Sequence, residues 1–275
     1  RDLKNDKKFP VQVWAIAKKK NKIFVLNKNL TDFVTVIIPY YKKINFINEC
    51  VDSVLNQTFQ NFEIIMVYDD KDKSELELLE KFKNKDKRIK IIVNQENLGV
   101  GESRNKALKI ANGKFIAFLD ADDIWHPLKL STQIEFMINN NFSITHTSYN
   151  IINEKNKKVG TRFAKNLKFS DLIRSCDIGL STVIIEKKLL DNLCFPNLKT
   201  KEDYVLWLQL TKKGYEFKAF DQFLTDWRLA KNSLSSSTFR KLIDGYNVYR
   251  KYLEQSILKS LINLLILSLN FLRKK

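Results

Sequence analysis

The sequence of 275 residues is poor in the residue types that mark several common protein classes. Its three cysteines, Cys50, Cys176 and Cys194, are odd in number and widely spaced, which argues against a disulfide framework or a zinc site and predicts a reducing compartment. Two histidines are too few for a His-rich metal site. Seven glycines and four prolines exclude a fibrous repeat and a Pro/Gly-rich disordered chain.

The sequence also lacks an apolar run long enough to cross a bilayer. The longest run, "LINLLILSLNFL" at 261–272, is shorter than the roughly 20 residues that a spanning helix needs. It contains two asparagines and is followed by three basic residues. It predicts either a helix lying on an anionic membrane or a C-terminal helix packed on the domain or on a second subunit. No secretory signal is visible.

Acidic residues are outnumbered, with 48 Lys and Arg against 31 Asp and Glu and a net charge of +17. Such an excess can attract nucleic acid, anionic lipid or phosphorylated small molecules. The lysines lie between predicted elements rather than in one stripe, which is typical of a solvated surface. A nucleic-acid-binding protein would cluster basic and exposed aromatic residues, and no such cluster is apparent, so we expect no nucleic-acid partner.

The hydrophobic pattern alternates strands with helices in the first half of the chain. Strands are predicted at 34–39, 62–68, 88–94 and 114–120, with helices at 45–57, 73–83 and 101–112 and Gly113 as a C-terminal cap. This alternation predicts a parallel sheet covered by helices on both faces, with the carboxyl ends of all strands at one edge. Ligands bind at that edge in such sheets.

The second half has a looser pattern. It predicts helices at 127–140 and 201–214, strands near 143–152, 180–185, 215–220 and 223–228, and a helical tail from about 238. Residues 1–30 contain two strand-like runs and predict a β-hairpin.

The stretch "FLDADD", residues 118–123, ends a buried strand in three carboxylates. On an extended segment Asp120 and Asp122 point the same way, and two such carboxylates repel unless a cation joins them. Oxygen ligands favour Mg²⁺ or Mn²⁺, which keep positions open for substrate phosphates. The alternative is an Asp-rich turn that surfaces into water.

Other polar residues fall at the same edge of the predicted sheet. Asp69 ends the second strand and could accept a hydrogen bond from a base N–H. Arg104 opens the third helix, where an arginine suits a phosphate, although it could equally be a surface residue. Glu202 and Asp203 begin a later helix, where acids also suit the helix dipole.

Four segments in this order carry a family resemblance: "VTVIIPYYK", "LNQTFQNFEIIMVYDD", "NLGVGESRNKAL" and "GKFIAFLDADDIWHPLKL". Over residues 33–130 the chain resembles the family two glycosyltransferases with the GT-A fold. A weaker match, "KEDYVLWLQLTKKG" and "WRLAKNSLS", extends the resemblance to about residue 235. The resemblance implies an α/β GT-A fold, a nucleotide-diphosphate-sugar donor, most often a UDP-sugar, and inversion at the anomeric carbon.

The resemblance implies nucleotide-binding roles for residues at the strand ends. Pro39 and Tyr41 resemble the loop that flanks the nucleoside. Asp69 resembles the acid that contacts the uracil ring. Arg104 and Asp120 resemble residues beside the diphosphate.

The resemblance also implies the metal ligands and the base. Asp120 and Asp122 resemble the acids that hold Mn²⁺ or Mg²⁺, with Asp122 the direct ligand. Asp203, with Glu202 beside it, resembles the base that takes the proton of the acceptor hydroxyl, a step that an inverting transfer requires.

Two departures from the family pattern concern the nucleotide and the metal. Tyr68 replaces a common first acid before Asp69. Many members have a histidine where this sequence has Ala230, so a third protein ligand to the metal could be missing and Arg228 or a serine could close over the diphosphate instead.

The predicted division of the chain follows from these matches. Residues 1–30 form an N-terminal extension, and 31–235 form the GT-A domain, with a nucleotide-binding half at 31–125 and an acceptor-binding half at 126–235. Residues 236–275 form a C-terminal helical tail.

The predicted function is metal-assisted transfer of a sugar to a hydroxyl of a bacterial surface glycan or lipid-linked saccharide. The expected location is cytoplasmic, with contact to the inner face of the cell membrane through the C-terminal helix as the further expectation. Two alternatives stay open: a nucleotidyltransferase that makes the sugar nucleotide, and a basic nucleic-acid-binding protein.

Overall fold

Four parallel strands form the first half of the central sheet. The computed structural model describes residues 32–230 and 238–273, so the hairpin predicted within 1–30 lies outside the described residues. The strands are β1 (Val34–Tyr40), β2 (Phe62–Tyr68), β3 (Ile89–Val93) and β4 (Phe115–Phe118). β1 lies between β2 and β4, with Val34 in register with Phe62 and Phe115.

Helices cover both faces of these strands, as the alternating pattern predicted. They are α1 (Ile47–Leu55), α2 (Leu76–Lys85) and α3 (Val100–Ile110). Val36 and Ile38 face one core, shared with α1 and α2, while Ile37 faces the other, shared with α3. Because side chains alternate along a strand, a continuous apolar run such as "VTVIIP" supplies both cores at once.

The second half extends the same sheet with mixed pairing: β8 is antiparallel to β4 and β6, whereas β6 and β9 are parallel to each other. Its strands are β5 (Ile124–Trp125), β6 (Ile144–Ile152), β7 (Lys158–Arg162), β8 (Ile184–Glu186) and β9 (Lys218–Arg228). Its helices are α4 (Lys129–Asn139), α5 (Phe169–Leu172) and α6 (Glu202–Lys212), with 3₁₀ turns at Leu180–Thr182 and Lys187–Leu190. Within the described residues the nine strands run in the order β3-β2-β1-β4-β8-β6-β9-β5, and β7 pairs with β6.

Helix α6 is placed by aromatic packing against the sheet. The Trp207 ring lies 6.3 Å from the Phe118 ring of β4 and 5.0 Å from Phe217. This packing brings the first turn of α6 to the carboxyl end of β4.

The helical tail packs behind α6. It consists of α7 (Thr238–Asn247), a π-helical turn (Val248–Tyr252) and α8 (Ile257–Leu272). The Tyr249 hydroxyl lies 3.1 Å from that of Tyr204, and the Thr200 hydroxyl donates to Asp244 at 2.8 Å. No helix within 32–230 and 238–273 is long and apolar enough to cross a membrane.

The structure confirms the predicted fold class and corrects several local predictions. The strands predicted at 215–220 and 223–228 are one strand, β9, because its pairing with β6 continues through register shifts beside Thr147 and Ser148. The segment predicted as a strand at 180–185 begins as a 3₁₀ turn. The short elements β5, β7 and α5 were not predicted. The predicted domain boundaries stay predictions.

Gly113 does not cap helix α3, as the sequence had predicted. The helix ends at Ile110, and its C-cap is Ala111 in an extended conformation. The Gly113 N–H donates to the Thr35 hydroxyl at 2.8 Å, and a Cβ at this position would lie 2.4 Å from the Thr35 nitrogen. Glycine is required here because two backbones meet, not because a helix ends.

Candidate active site at the carboxyl ends of the strands

The acidic stretch after β4 forms a turn rather than the extended segment that the sequence predicted. The Asp123 N–H donates to the Asp120 carbonyl at 3.0 Å, while Ala121 is buried. The alternative of an Asp-rich turn is therefore what the backbone adopts. Each of its three carboxylates has a different partner from a distant part of the chain.

Arg104 joins the turn to helix α6. Its Nη2 donates to Asp120 Oδ1 at 2.8 Å and its Nη1 donates to Glu202 Oε1 at 2.7 Å. The guanidinium lies over the Phe195 ring, 5.3 Å from its centroid, and the side chain is 2% exposed. Arg104 is thus a buried link between the end of β4 and the first turn of α6, not a surface residue.

Electrostatics at this link shift the pKa values of both partners. Burial works against the charge of Arg104, but the carboxylates of Asp120 and Glu202 outweigh it and raise the pKa of Arg104. Burial, followed by the neighbouring charge of Asp203, raises the pKa of Glu202 to about 7 although Arg104 acts in the opposite direction. Glu202 therefore titrates near neutrality in the folded protein.

Asp203 lies beside this link and is half-buried. Its Oδ1 accepts a hydrogen bond from the Tyr204 N–H at 2.7 Å, and no ion pair to Asp203 is present in the described part of the chain. Burial raises the pKa of Asp203, with the positive charge of Arg104 opposing the rise. A raised pKa makes a carboxylate a better proton acceptor.

Asp122 pairs with a lysine that the sequence did not single out. The Lys43 Nζ lies 2.6 Å from Asp122 Oδ2, and the two side chains are 23% and 15% exposed. Burial raises the pKa of Asp122, an effect that Lys43 reduces and Asp120 increases.

Asp123 is buried behind the turn and is held by Ser181. The Ser181 hydroxyl donates to Asp123 Oδ2 at 2.5 Å and accepts from the Asp120 N–H at 3.0 Å. The Ser181 carbonyl accepts from the Trp125 indole at 2.8 Å. No spacing in the sequence marked Ser181 as a residue of this site.

Arg228 is buried on the other side of the turn. Its Nε donates to the Asp122 carbonyl at 2.6 Å and its Nη2 donates to Glu49 Oε2 at 2.8 Å. The guanidinium stacks on Phe46 at 4.7 Å from the ring centroid. In this arrangement Arg228 fixes the backbone of the acidic turn, and its role in closing over a diphosphate stays a prediction.

Asp69 shapes the loop that leads into α3. Its carboxylate accepts hydrogen bonds from Asn94 Nδ2 and Leu98 N, each at 2.8 Å, and from Gly99 N at 2.9 Å. Gly99 has a φ of 89°, which glycine adopts at low cost. No hydrogen bond joins Asp69 to the acidic turn among the described residues, and its predicted contact with a base stays a prediction.

Pro39 and Tyr41 lie where β1 ends at the same edge. Pro39 is in register with Val67 of β2, and the Tyr41 side chain is exposed. Tyr40, between them, is buried and stacks on Tyr68 with 5.6 Å between ring centroids. Tyr68, which replaces a common acid, therefore belongs to the packing beneath the edge.

The carboxylates of Asp120 and Asp122 fit a hard divalent cation by their chemistry. Both are oxygen donors at the end of one strand, and Mg²⁺ or Mn²⁺ is commonly held by one or two protein carboxylates together with substrate phosphates. Within the described residues no group of three or more His, Cys, Asp and Glu side chains is arranged to hold a metal ion. Lys43 places a positive charge beside Asp122, and the role of this carboxylate as a metal ligand stays a prediction.

Comparison with known proteins identifies the family of the chain. The sequence pattern described as Glycosyl transferase family 2 matches residues 35–190. The chain is 37% identical over 227 residues to the Escherichia coli UDP-Glc:alpha-D-GlcNAc-diphosphoundecaprenol beta-1,3-glucosyltransferase WfgD, covering 82% of this chain and 88% of WfgD.

Two solved structures share the fold. One is Staphylococcus aureus TarS, residues 1–349, in complex with UDP-GlcNAc, with a TM-score of 0.63, 24% identity and coverage of 84% of this chain and 70% of TarS. The other is the mannosyltransferase PcManGT from Pyrobaculum calidifontis in complex with GDP-Man and Mn²⁺, with a TM-score of 0.62, 16% identity and coverage of 92% and 76%. The chain belongs to glycosyl transferase family 2 and is a glycosyltransferase.

Proposed function

We propose that this glycosyltransferase moves a sugar, with inversion, from a UDP-sugar to a hydroxyl of a lipid-linked saccharide used in bacterial surface glycan synthesis. The observation that carries the proposal is the link from Arg104 to Asp120 and Glu202, which brings a buried cation and a pair of proton-accepting acids to the carboxyl edge of the sheet. The activity for which WfgD is named, a glucosyl transfer from UDP-glucose to a diphosphoundecaprenol-linked sugar, supports the choice of donor and acceptor class.

Asp203 is the proposed base. It carries no ion pair in the described part of the chain, whereas the neighbouring Glu202 is held by Arg104 at 2.7 Å. The acceptor hydroxyl oxygen forms a bond to the anomeric carbon while the bond from that carbon to the diphosphate oxygen breaks. The hydroxyl proton passes to Asp203, and the electron pair of the broken bond leaves with UDP. Glu202 orients Arg104.

The departing diphosphate gains negative charge that Arg104 is placed to neutralise. Its guanidinium is buried, so its interaction with a phosphate is weakly screened. Asp120 and Asp122 would hold Mn²⁺ or Mg²⁺, which supplies further neutralisation of the leaving diphosphate when bound. PcManGT, which shares the fold, is described with Mn²⁺ and GDP-Man.

The nucleoside is proposed to lie over the ends of β1 and β2. Tyr41, directly after β1, is exposed and offers a face for stacking, and Pro39 is the next-to-last residue of that strand. Asp69 would accept from the uracil N–H through a lone pair not used by its loop contacts. Its buried, hydrogen-bonded position would keep the loop at 94–99 fixed while donor binds.

The acceptor side is proposed to meet an anionic membrane through α8. One face of this helix exposes Leu258, Leu261, Leu265 and Leu269, at spacings of three or four residues. Residues 238–275 contain eight Lys and Arg against two acids, which complements anionic headgroups. We expect co-sedimentation with phosphatidylglycerol vesicles. It should be lost in a Leu265→Glu variant and retained in Val159→Glu, whose side chain is exposed on β7. Equal sedimentation of both variants would refute this contact.

The transfer itself is tested with Asp203→Asn and Glu202→Gln. UDP should raise the melting temperature of the wild type in the presence of Mn²⁺, since a ligand of the native state stabilises it. Asp203→Asn should keep this shift but lose transfer from UDP-sugars to a diphospho-lipid-linked saccharide by about 10²-fold or more. Glu202→Gln should keep part of the activity. Wild-type transfer rates in Asp203→Asn would exclude Asp203 as the base, and melting shifts with GDP, dTDP or CDP but not UDP would exclude a UDP-sugar.

A further inference from the structure

Lys43 is held in place by the backbone that begins helix α1. The Lys43 carbonyl accepts from the N–H groups of Phe46 and Ile47 at 2.9 and 3.0 Å, which closes the turn before the helix. The preceding Lys42 adopts a left-handed φ of 49°. The chain therefore turns sharply after β1 and points the Lys43 side chain across to the end of β4.

Lys43 differs from the adjacent Lys42 in its exposure and in its ion-pair partner. Lys42 is 60% exposed and lies 3.8 Å from Asp70, an arrangement typical of a surface pair. Lys43 is 23% exposed and contacts Asp122, 79 residues along the chain, at 2.6 Å. A short, largely buried contact of this kind is a charge-assisted hydrogen bond.

The acidic turn needs this positive charge when no substrate is bound. Asp120 is compensated by Arg104, and Asp123 is held by the Ser181 hydroxyl and the Arg228 N–H. Asp122 has Lys43. Each carboxylate thus has its own partner, and without Lys43 the charge of Asp122 would have no ion-pair partner among the described residues.

We propose that Lys43 is a built-in competitor of the divalent cation: its ammonium occupies Asp122 in the free enzyme, and the metal binds there only by displacing it. This inference rests on the proposed function, in which Asp122 is a metal ligand. An ammonium and a divalent ion on one carboxylate repel strongly in a partly buried site, so the two cations exclude each other.

Competition of this kind couples metal binding to donor binding. In the free enzyme the metal must break the Lys43–Asp122 pair, so its affinity is low. The phosphates of a bound donor add negative charge that favours a divalent ion over a single ammonium. Metal and nucleotide then bind cooperatively, and by linkage each raises the affinity of the other by the same factor.

The test is a Mn²⁺ titration followed by electron paramagnetic resonance, without substrate turnover. Wild type, Lys43→Met, Lys43→Gln and Lys42→Met are titrated with and without saturating UDP. Loss of the competing charge should raise the affinity of the UDP-free protein for Mn²⁺ by about tenfold or more in both Lys43 variants. The factor by which UDP increases the Mn²⁺ affinity should fall by the same amount. Lys42→Met, the matched control, should behave as wild type. Lys43→Gln keeps a hydrogen-bond donor to Asp122, which guards against misfolding of the methionine variant.

The outcomes separate this inference from the proposed function. One outcome is that wild type binds Mn²⁺ in the presence of UDP but that, in the absence of UDP, the Lys43 variants bind Mn²⁺ no more tightly than wild type does. This outcome refutes the competition while the metal role of Asp122 stands. If only the Lys43 variants bind Mn²⁺, the competition is supported and metal assistance in the wild type is refuted. Absence of Mn²⁺ binding in every protein overturns both.

Discussion

Replacing Glu202 by glutamine removes a buried charge while keeping an oxygen that can accept from Arg104. Burial and the adjacent Asp203 raise the pKa of Glu202 from the ordinary 4.5 to about 7. The folded protein therefore binds this proton more tightly than the unfolded chain does. Between these two pKa values the unfolded state is the more deprotonated one, so the free energy of unfolding falls as the pH rises.

The size of this effect follows from the pKa shift. For one group with these two pKa values, the linkage relation gives a loss of about 2.5 kcal/mol in the free energy of unfolding between roughly pH 5 and pH 8. Burial also raises the pKa values of Asp122, Asp123 and Asp203, so the wild type should lose more than this over the same range. Glu202→Gln should remove only the part of this loss in unfolding free energy that is due to Glu202.

Urea unfolding at both pH values measures the difference directly. The loss of unfolding free energy between roughly pH 5 and pH 8 should be smaller by about 2.5 kcal/mol in Glu202→Gln than in the wild type. Glu77→Gln is the matched control, since Glu77 is 80% exposed in a surface pair with Lys81, and it should leave the pH dependence unchanged. Equal pH dependence in Glu202→Gln and wild type would refute the view that Glu202 is kept partly protonated by its surroundings.

Two further substitutions test the framework of the site. Gly113→Ala should lower the free energy of unfolding by about 2 kcal/mol, because the new Cβ would lie 2.4 Å from the Thr35 nitrogen. Gly160→Ala is the control and should change it little, because its Cβ would first meet a flexible Ile151 carbon at 3.5 Å. Equal free energies of unfolding in the two variants would contradict the steric argument. Burial lowers the pKa of Lys129, so the folded wild type loses stability as the pH falls and the unfolded chain takes up the proton. The free energy of unfolding of Lys129→Met minus that of the wild type should therefore increase as the pH falls. Urea unfolding at two pH values would show a pH-independent difference if the argument were wrong.

The sheet could be predicted from the sequence because its strands are continuous apolar runs. β1 and β2 are buried on both faces, so every residue in them must be apolar or hydrogen-bonded, and runs such as "FEIIMVY" have no other stable location in a soluble domain. Right-handed crossovers then predict that the carboxyl ends of the parallel strands lie together at one edge of the sheet. This is why the sequence predicts Asp69, Asp120 and Arg104 at the edge where the structure has them.

The partners of these residues could not be predicted, because each depends on a contact between distant segments. Lys43 reaches Asp122 across 79 residues and Ser181 reaches Asp123 across 58. Lysine and serine are common surface residues, and neither lies in a spacing that indicates a site. The extended conformation expected for 120–122 failed for the same reason, since these contacts favour a turn.

The excess of carboxylates at the carboxyl edge of the sheet favours a divalent cation there, independently of the family motif. Among the described residues, the carboxylates of Asp120, Asp122 and Glu202 form ion pairs with two cations, Arg104 and Lys43, while Asp203 forms none. A nucleotide diphosphate brought to this edge adds further negative charge to a site that already has an excess of acids. Protonation of Glu202 relieves part of the excess, and a divalent cation on Asp120 and Asp122 would relieve the rest. Ala230, where the family resemblance implies a histidine in many members, leaves this charge balance unchanged, so we still expect the proposed site to bind a divalent cation without a third protein ligand.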